Sequence, residues 1–393
     1  MSREIISILG YFGYANTGDE AILGCMLAQL RQLDIDAEYF VYSGDPEETR
    51  CTHGVEAAPN ILPTSAKSYL VRALGRNRKN FFGTLKAFKR TTVFLVGGGG
   101  LFYDRPDSNF YLMELLKLIR KAVEAGKKVV LFGVGFGPVH LESTRQALKE
   151  IIDRVTMITV RDEQSRRLLE ELGITRPAIH TTADFVYFLQ SAPAERIDRI
   201  LSGEKLPSSD QPVIGVCPCG YNSDNRAWQE SLVRFCEFAD RELNARILFI
   251  PMQTGGGFDD RAAARQITAE LKNRDFVSHI EGRYTAGETM GLMARTDMIL
   301  GERFHGVILA LNNRTPVFGL AYKPKVARVF EEIGRPDWYL PFDRLTPENL
   351  INGFKKVWDE RENLADELKK AHEMLREKSR GNFTLLAELL KKG

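Results

Sequence analysis

Over residues 1–190 the chain alternates between two hydrophobic patterns. Ile5 to Leu9, Val93 to Val96, Val129 to Phe132 and Met157 to Val160 are apolar at nearly every position, as strands buried on both faces require. Between them, Asp19 to Leu33, Leu112 to Ala125 and Glu163 to Leu172 carry apolar residues at helical spacing. This alternation predicts a parallel sheet covered by helices on both faces, a Rossmann-like domain over 1–190.

Residues 191–212 collect Pro, Ser, Gly and charge without strong periodicity and read as a linker. The strand pattern restarts at Val213-Ile-Gly-Val and returns in Ile247 to Ile250, Phe276 to Ile280, Met298 to Leu300 and Pro316 to Leu320, giving a second Rossmann-like domain over 213–362. From 363 to 393, Leu364, Leu368, Ala371 and Leu375, then Leu385, Leu386, Leu389 and Leu390, predict a helical tail packed on a domain. The expected class is α/β: two doubly wound domains with a cleft between the carboxyl ends of their strands, an architecture similar to GT-B.

Composition narrows the function classes. With 44% apolar and 27% charged residues in 393, the chain has the make-up of an ordinary globular protein long enough for two cores. Lys and Arg total 54 against 52 Asp and Glu, which gives no reason to expect a nucleic-acid binder. The five cysteines are odd in number, and Cys217-Pro-Cys219 lacks the two-residue spacer of zinc and redox motifs. The six histidines are scattered without ligand spacing, so no metal is expected. The N-terminus turns polar too soon for a signal peptide, and no run of about twenty apolar residues occurs, so the expected location is the cytoplasm.

Chemistry concentrates at strand ends. After the first strand, Gly10, Gly13 and Gly18 with Asn16 permit a tight turn into a helix, but their spacing is not that of a dinucleotide fingerprint. Asp19 and Glu20 would start that helix where a carboxylate can bind sugar hydroxyls. Gly97 to Gly100, including Gly99 and Gly100, allows close approach of backbone to a ligand, and packing alone explains these glycines equally well. The sharper signal is Gly301-Glu-Arg-Phe-His-Gly306, between a strand and an apolar helix. A helix N-terminus attracts anions, Arg303 adds a fork for phosphate or carboxylate, and His305 beside them can act as a general acid. The competing reading pairs Arg303 with Glu302 or another acid and makes His305 a helix cap. Arg161 and Lys325 lie at similar strand ends and bring positive charge to the same expected rim.

The segments Asn-Thr-Gly-Asp-Glu-Ala-Ile-Leu, Phe-Leu-Val-Gly-Gly-Gly-Gly, Val-Arg-Asp-Glu-Gln-Ser, Thr-Ala-Asp and Glu-Arg-Phe-His-Gly occur in this order over most of the chain. Together they resemble the polysaccharide pyruvyl transferase family and, within it, the bacterial branch known as CsaB, which acts on lipid-linked N-acetylmannosamine of secondary cell-wall polymers bound by S-layer proteins. The resemblance implies a GT-B-like fold with an acceptor-side N-terminal and a donor-side C-terminal domain. It also implies phosphoenolpyruvate as donor substrate, with no separate cofactor. Donor recognition by Arg303 and His305, with Phe304 between them, and active-site roles for Arg161 and Lys325 follow from the same resemblance. The chain departs from the family pattern at Lys323, where an acid is expected before Pro324-Lys325.

The expected reaction protonates the methylene carbon of phosphoenolpyruvate and adds two sugar hydroxyls with loss of phosphate. His305 is the expected acid, and Asp19 or Glu20 accepts hydroxyl protons. The alternative is a GT-B glycosyltransferase using a nucleotide sugar. Finally, residues 67–90 hold Lys67, Arg72, Arg76, Arg78, Lys79, Lys86, Lys89 and Arg90 interleaved with aromatic and aliphatic residues and without acids. The segment reads as a peripheral contact with the inner membrane face, or else as a basic helix packed on its domain.

Overall fold

The computed structural model describes residues 3–60, 78–204, 206, 210–255 and 259–391. The chain forms two compact units. The first comprises Met1–Tyr14, Ile22–Phe185 and Leu375–Gly393, and the second Ala15–Ala21 and Val186–Met374.

Among the described residues, the first unit holds seven parallel strands: β1 (Glu4–Leu9), β2 (Ala37–Ser43), β3 (Glu56–Pro59), β4 (Val93–Gly97), β5 (Lys128–Val134), β6 (Met157–Val160) and β7 (Ile179–Thr181). Their order is β3-β2-β1-β4-β5-β6-β7, so the winding reverses between β1 and β4. All five residues of β4 are buried, which is why it reads as a continuous apolar run. Phe94, Val96 and Leu131 of the sheet pack with Leu112, Leu116 and Ile119 of the helix Phe110–Glu124.

The second unit repeats the plan with β8 (Val213–Cys217), β9 (Arg246–Phe249), β10 (Val277–His279), β11 (Met298–Gly301), β12 (Val317–Ala321) and β13 (Tyr339–Pro341). Their order, β10-β9-β8-β11-β12-β13, reverses between β8 and β11. Registering Gly301 against Cys217 places the residues after β11 beside those after β8. Two doubly wound parallel-sheet units are thus present, as the hydrophobic pattern predicts.

The structure divides the chain differently from the sequence at three places, the first being Ala15–Ala21, which lies within the expected first domain but belongs to the second unit. Interval 191–212 contains the helix Ala194–Gly203, whose Ile197 and Ile200 are buried in the second unit, so the division falls at Phe185. Charged residues between those two isoleucines mask the helical period. The tail is one helix, Ala365–Lys391, whose stretch from Leu375 onward belongs to the first unit. There Phe383 lies 5.4 Å from the Phe132 ring and 5.3 Å from Phe185.

Of the basic segment, Lys67, Arg72 and Arg76 lie outside the described residues. The remainder lies in the helix Arg78–Arg90. Phe81 is buried, Phe88 packs edge-on against Phe94 at 5.8 Å, Arg90 pairs with Glu38 at 3.0 Å, and Lys86 and Lys89 are exposed. No helix among the described residues is long and apolar enough to cross a membrane.

Candidate active site

The second unit carries a closed circuit of contacts at its winding reversal. Its base is the helix Phe304–Asn313, which starts directly after β11 with Arg303 as N-cap. His305, in the first turn, is 9% exposed. Against its imidazole lies Gly18, in the first turn of the helix Thr17–Leu30: a Cβ there would stand 1.8 Å from His305 Nδ1.

Asn16 caps the same helix, its Oδ1 accepting from the Asp19 N–H at 3.1 Å. Its Nδ2 donates to Gln253 Oε1 at 2.7 Å, and Thr17 N–H donates to the Met252 carbonyl at 3.0 Å. The backbone N–H groups of Met252 and Gln253 in turn donate to Asp260 Oδ2 at 3.1 and 2.8 Å.

Asp260 closes the circuit on Arg303. The guanidinium presents its Nε–Nη2 edge, with Nη2 2.6 Å from Oδ1 and Nε 3.1 Å from Oδ2. Such a forked, charge-assisted pair fixes the plane of the arginine. Asp260 is fully buried and also accepts from the Gly220 N–H at 2.9 Å. Burial raises its pKa against the pull of Arg303. For Arg303, burial opposes the charge, but Asp260 outweighs it and the net shift is upward, so the guanidinium stays charged. Arg303 is therefore ion-paired with another acid, Asp260, 43 residues away, as the competing reading of the sequence allows.

Glu302 has a different task. Its buried carboxylate accepts from Cys219 N–H at 2.7 Å, Trp228 Nε1 at 3.0 Å and the Asn222 amide, which pins the turn Gly220–Asn222 after β8. Burial pushes the Glu302 carboxyl up to about 8, and those donors hold it partly down.

Phe304 and Lys325 extend the cluster. The Phe304 ring meets the His305 ring edge-on at 5.2 Å, and Lys325 Nζ lies 5.1 Å from the Phe304 centroid. Lys323 is exposed and sits 5.6 Å from the Tyr322 ring and 5.9 Å from that of Tyr221. Asp19 and Glu20 are half-buried in the first turn after Gly18, where carboxylates also complement the helix dipole.

Arg161, Gly99 and Gly100 belong to the first unit. Arg161 follows β6, is 5% exposed and pairs through Nη1 with Asp184 Oδ2 at 3.1 Å. Its guanidinium lies against Gly135, where a Cβ would come within 2.8 Å of Nε, and within 3.6 Å of the corresponding position at Gly100. Gly99, at φ +76°, accepts from the Gly135 N–H at 3.0 Å. The neighbouring Asp162 caps the helix Glu163–Glu171, and Ser165 accepts from the Phe136 N–H at 2.8 Å, which fixes the 135–136 backbone beneath the arginine.

Sequence reasoning named Asp184 only within a motif and missed Asn382. Asn382 is fully buried in the C-terminal helix. Its Oδ1 accepts from Thr159 and Thr182 at 2.5 and 2.9 Å, and its Nδ2 donates to the Ala183 carbonyl at 3.1 Å. It thereby ties the residues flanking Arg161 and Asp184 to a segment some 200 positions away. Among the described residues, no group of His, Cys, Asp and Glu has the arrangement of a metal site.

Comparison with solved structures gives the fold class. The UDP-GlcNAc 2-epimerase of Neisseria meningitidis superposes with a TM-score of 0.66 at 13% identity, covering 99% of this chain and 100% of that one. A putative UDP-N-acetylglucosamine 2-epimerase of Listeria monocytogenes gives 0.68 at 12%, covering 100% and 98%, and Anabaena HepE in complex with UDP-glucose gives 0.65 at 12%, covering 99% and 100%. The chain thus has the GT-B-like fold that epimerases and glycosyltransferases share. Within that class it belongs to the polysaccharide pyruvyl transferase family, whose sequence profile matches residues 16–324. The match spans Asn16, Arg161, the 302–305 cluster and Pro324. A curated relative, the amylovoran biosynthesis protein AmsJ of Erwinia amylovora, is 23% identical over 421 residues, covering 98% of this chain and 99% of that protein.

Proposed function

We propose that the enzyme transfers the enolpyruvyl-derived group of phosphoenolpyruvate to two hydroxyls of a saccharide, forming a pyruvate ketal and releasing phosphate. The observation that carries this reading is the juxtaposition, inside a pyruvyl transferase family match, of a charged, forked arginine and an imidazole on one helix N-terminus. Arg303 and the N–H groups of that first turn bind the donor's anionic groups, with Lys325 as a second cation. His305 delivers a proton to the methylene carbon, leaving an electron-poor carbon that one sugar hydroxyl attacks. Loss of phosphate and attack by a second hydroxyl complete the ketal, and the two hydroxyl protons pass to Asp19 or Glu20 and to the phosphate. Arg161 serves as an anion-binding group of the first unit, oriented by Asp184 and the Gly135 backbone.

The acceptor in this reading is a lipid-linked sugar of a bacterial polysaccharide, with N-acetylmannosamine of a secondary cell-wall polymer as the specific candidate, as in the CsaB branch. The family's polysaccharide acceptors and a relative named for amylovoran biosynthesis support the acceptor class. A lipid-linked acceptor places the enzyme at the cytoplasmic membrane face, where exposed Lys86 and Lys89 with Phe82 supply a peripheral contact.

Titration calorimetry tests the donor assignment. Phosphoenolpyruvate is expected to bind with one site per chain, and uridine diphosphate is expected not to bind. Binding of the nucleotide alone would instead establish a nucleotide-sugar glycosyltransferase.

A further inference from the structure

We infer that Tyr11 and Tyr14 form a stacking platform for the pyranose ring of the acceptor saccharide, a subsite on the first unit; this rests on the pyruvyl-transfer reading above. The two rings are stacked, with centroids 4.4 Å apart and planes at 19°, yet they remain 38% and 39% exposed.

Their loop is held in place with unusual care. Phe12, between the two tyrosines, is fully buried, so the alternation sends one aromatic inward and two outward. At Gly10 a side chain would meet the Phe12 ring at 2.4 Å and the Gly97 carbonyl at 2.7 Å. Gly13, at φ +76°, passes so close to the end of β2 that a Cβ would fall 2.2 Å from Ser43 Oγ and 2.4 Å from the Asp45 nitrogen. Gly44 N–H donates to the Phe12 carbonyl at 2.8 Å, and a Cβ on Gly44 would reach the Tyr14 ring at 2.6 Å. Tyr14 therefore rests on Gly44, and Tyr11 stacks on Tyr14.

The stack sits at the carboxyl end of β1, beside the reversal between β1 and β4, where open α/β sheets bind ligands. It also accounts for the Gly10-Tyr-Phe-Gly-Tyr14 motif, whose glycine spacing fits no nucleotide fingerprint. A rigid exposed aromatic face with a phenol at its rim matches the amphipathic chemistry of a sugar, whose C–H face is apolar and whose edge is hydroxylated. Preorganisation removes the ordering cost that a mobile aromatic would add to binding.

The test compares wild type with Tyr11→Ala, Tyr14→Ala and Tyr11→Phe, all checked by circular dichroism. The acceptor probe is a lipid-linked disaccharide ending in N-acetylmannosamine. Each alanine variant is expected to raise acceptor KM roughly ten-fold with phosphoenolpyruvate KM unchanged, and Tyr11→Phe to stay near wild type. Unchanged acceptor KM, or a loss confined to phosphoenolpyruvate, would overturn the platform while leaving pyruvyl transfer intact. Absence of any wild-type turnover would instead defeat the proposed reaction, and saturation-transfer NMR with methyl N-acetylmannosaminide then decides the platform. Sugar signals that vanish in Tyr11→Ala support it. Absent or unchanged sugar signals, or saturation of the uracil protons of added uridine diphosphate that depends on Tyr11, reject it.

Discussion

Gly18 and His305 touch so closely that a methyl group on the glycine would occupy the space of the imidazole, 1.8 Å from Nδ1. The helix containing Gly18 thus sets where the imidazole lies, from nearly 290 positions away in sequence.

Gly18→Ala is expected to displace the His305 ring while leaving the helix intact, since alanine favours helix over glycine. A shift of about 1 Å in a catalytic group can cost on the order of 100-fold in rate. Steady-state kinetics should show kcat falling by about that factor with the circular dichroism spectrum unchanged. Wild-type kcat in this variant would mean His305 is not the proton donor.

Arg303 and His305 should separate kinetically. His305→Ala is expected to abolish turnover while keeping phosphoenolpyruvate affinity, whereas Arg303→Lys keeps the charge but loses the fork and weakens donor binding. Arg303→Ala carries an added penalty, because it leaves Asp260 buried and unpaired, a change that costs about 3–5 kcal/mol in comparable pairs. Calorimetric donor titrations alongside thermal melts separate the two effects. Equal loss of donor affinity in His305→Ala and Arg303→Lys would assign His305 to binding and not to proton transfer.

Asn382→Ala tests whether the C-terminal helix positions Arg161. Removal takes the acceptor from the Thr159 hydroxyl, at about 1–3 kcal/mol for a buried group left unsatisfied, while Thr182 can turn its hydroxyl to the Val160 carbonyl. The expected result is a lower melting temperature together with reduced kcat/KM, and Asn382→Asp recovers neither, because its second oxygen replaces the amide that donates to the Ala183 and Ser379 carbonyls. A variant that melts lower but retains full kcat/KM would confine Asn382 to stability.

Glu302 gives a pH signature. Its carboxyl is raised to about 8 in the folded enzyme, above its unfolded value, so the native state holds this proton where the unfolded chain has released it. The contribution is complete below the unfolded pKa and is lost as pH rises through about 8. Glu302→Gln can keep the contacts, its oxygen accepting from Cys219 and Trp228 and its amide donating to a flipped Asn222. Melting temperature from pH 5 to 8.5 should therefore decline less in Glu302→Gln than in wild type; parallel profiles would mean that Glu302 is already ionised at pH 5.

Much of this fold is legible from the hydrophobic pattern because the central strands are buried on both faces, as Val93–Gly97 shows. The edge strands are not. Ala37–Ser43 is half-exposed through its first four residues, and Ile179–Thr181 and Tyr339–Pro341 have three residues each. At the site, Arg303 and His305 are visible because a charged pair between a strand and an apolar helix is unusual. Asp260 is not, since an acid in a first helical turn is what any helix dipole favours. Gly18 has an ordinary helical backbone, so only the packed imidazole explains it, and Asn382 hides in a Lys- and Glu-rich helix that resembles a solvated surface.

The central claim is pyruvyl transfer, and mass spectrometry of the acceptor tests it most directly. A lipid-linked disaccharide ending in N-acetylmannosamine, incubated with the enzyme and phosphoenolpyruvate, should gain the mass of one pyruvate ketal with release of one phosphate per product, and none with His305→Ala. An unmodified acceptor with phosphoenolpyruvate, together with a hexose or N-acetylhexosamine mass gain from a UDP-sugar, would contradict the account.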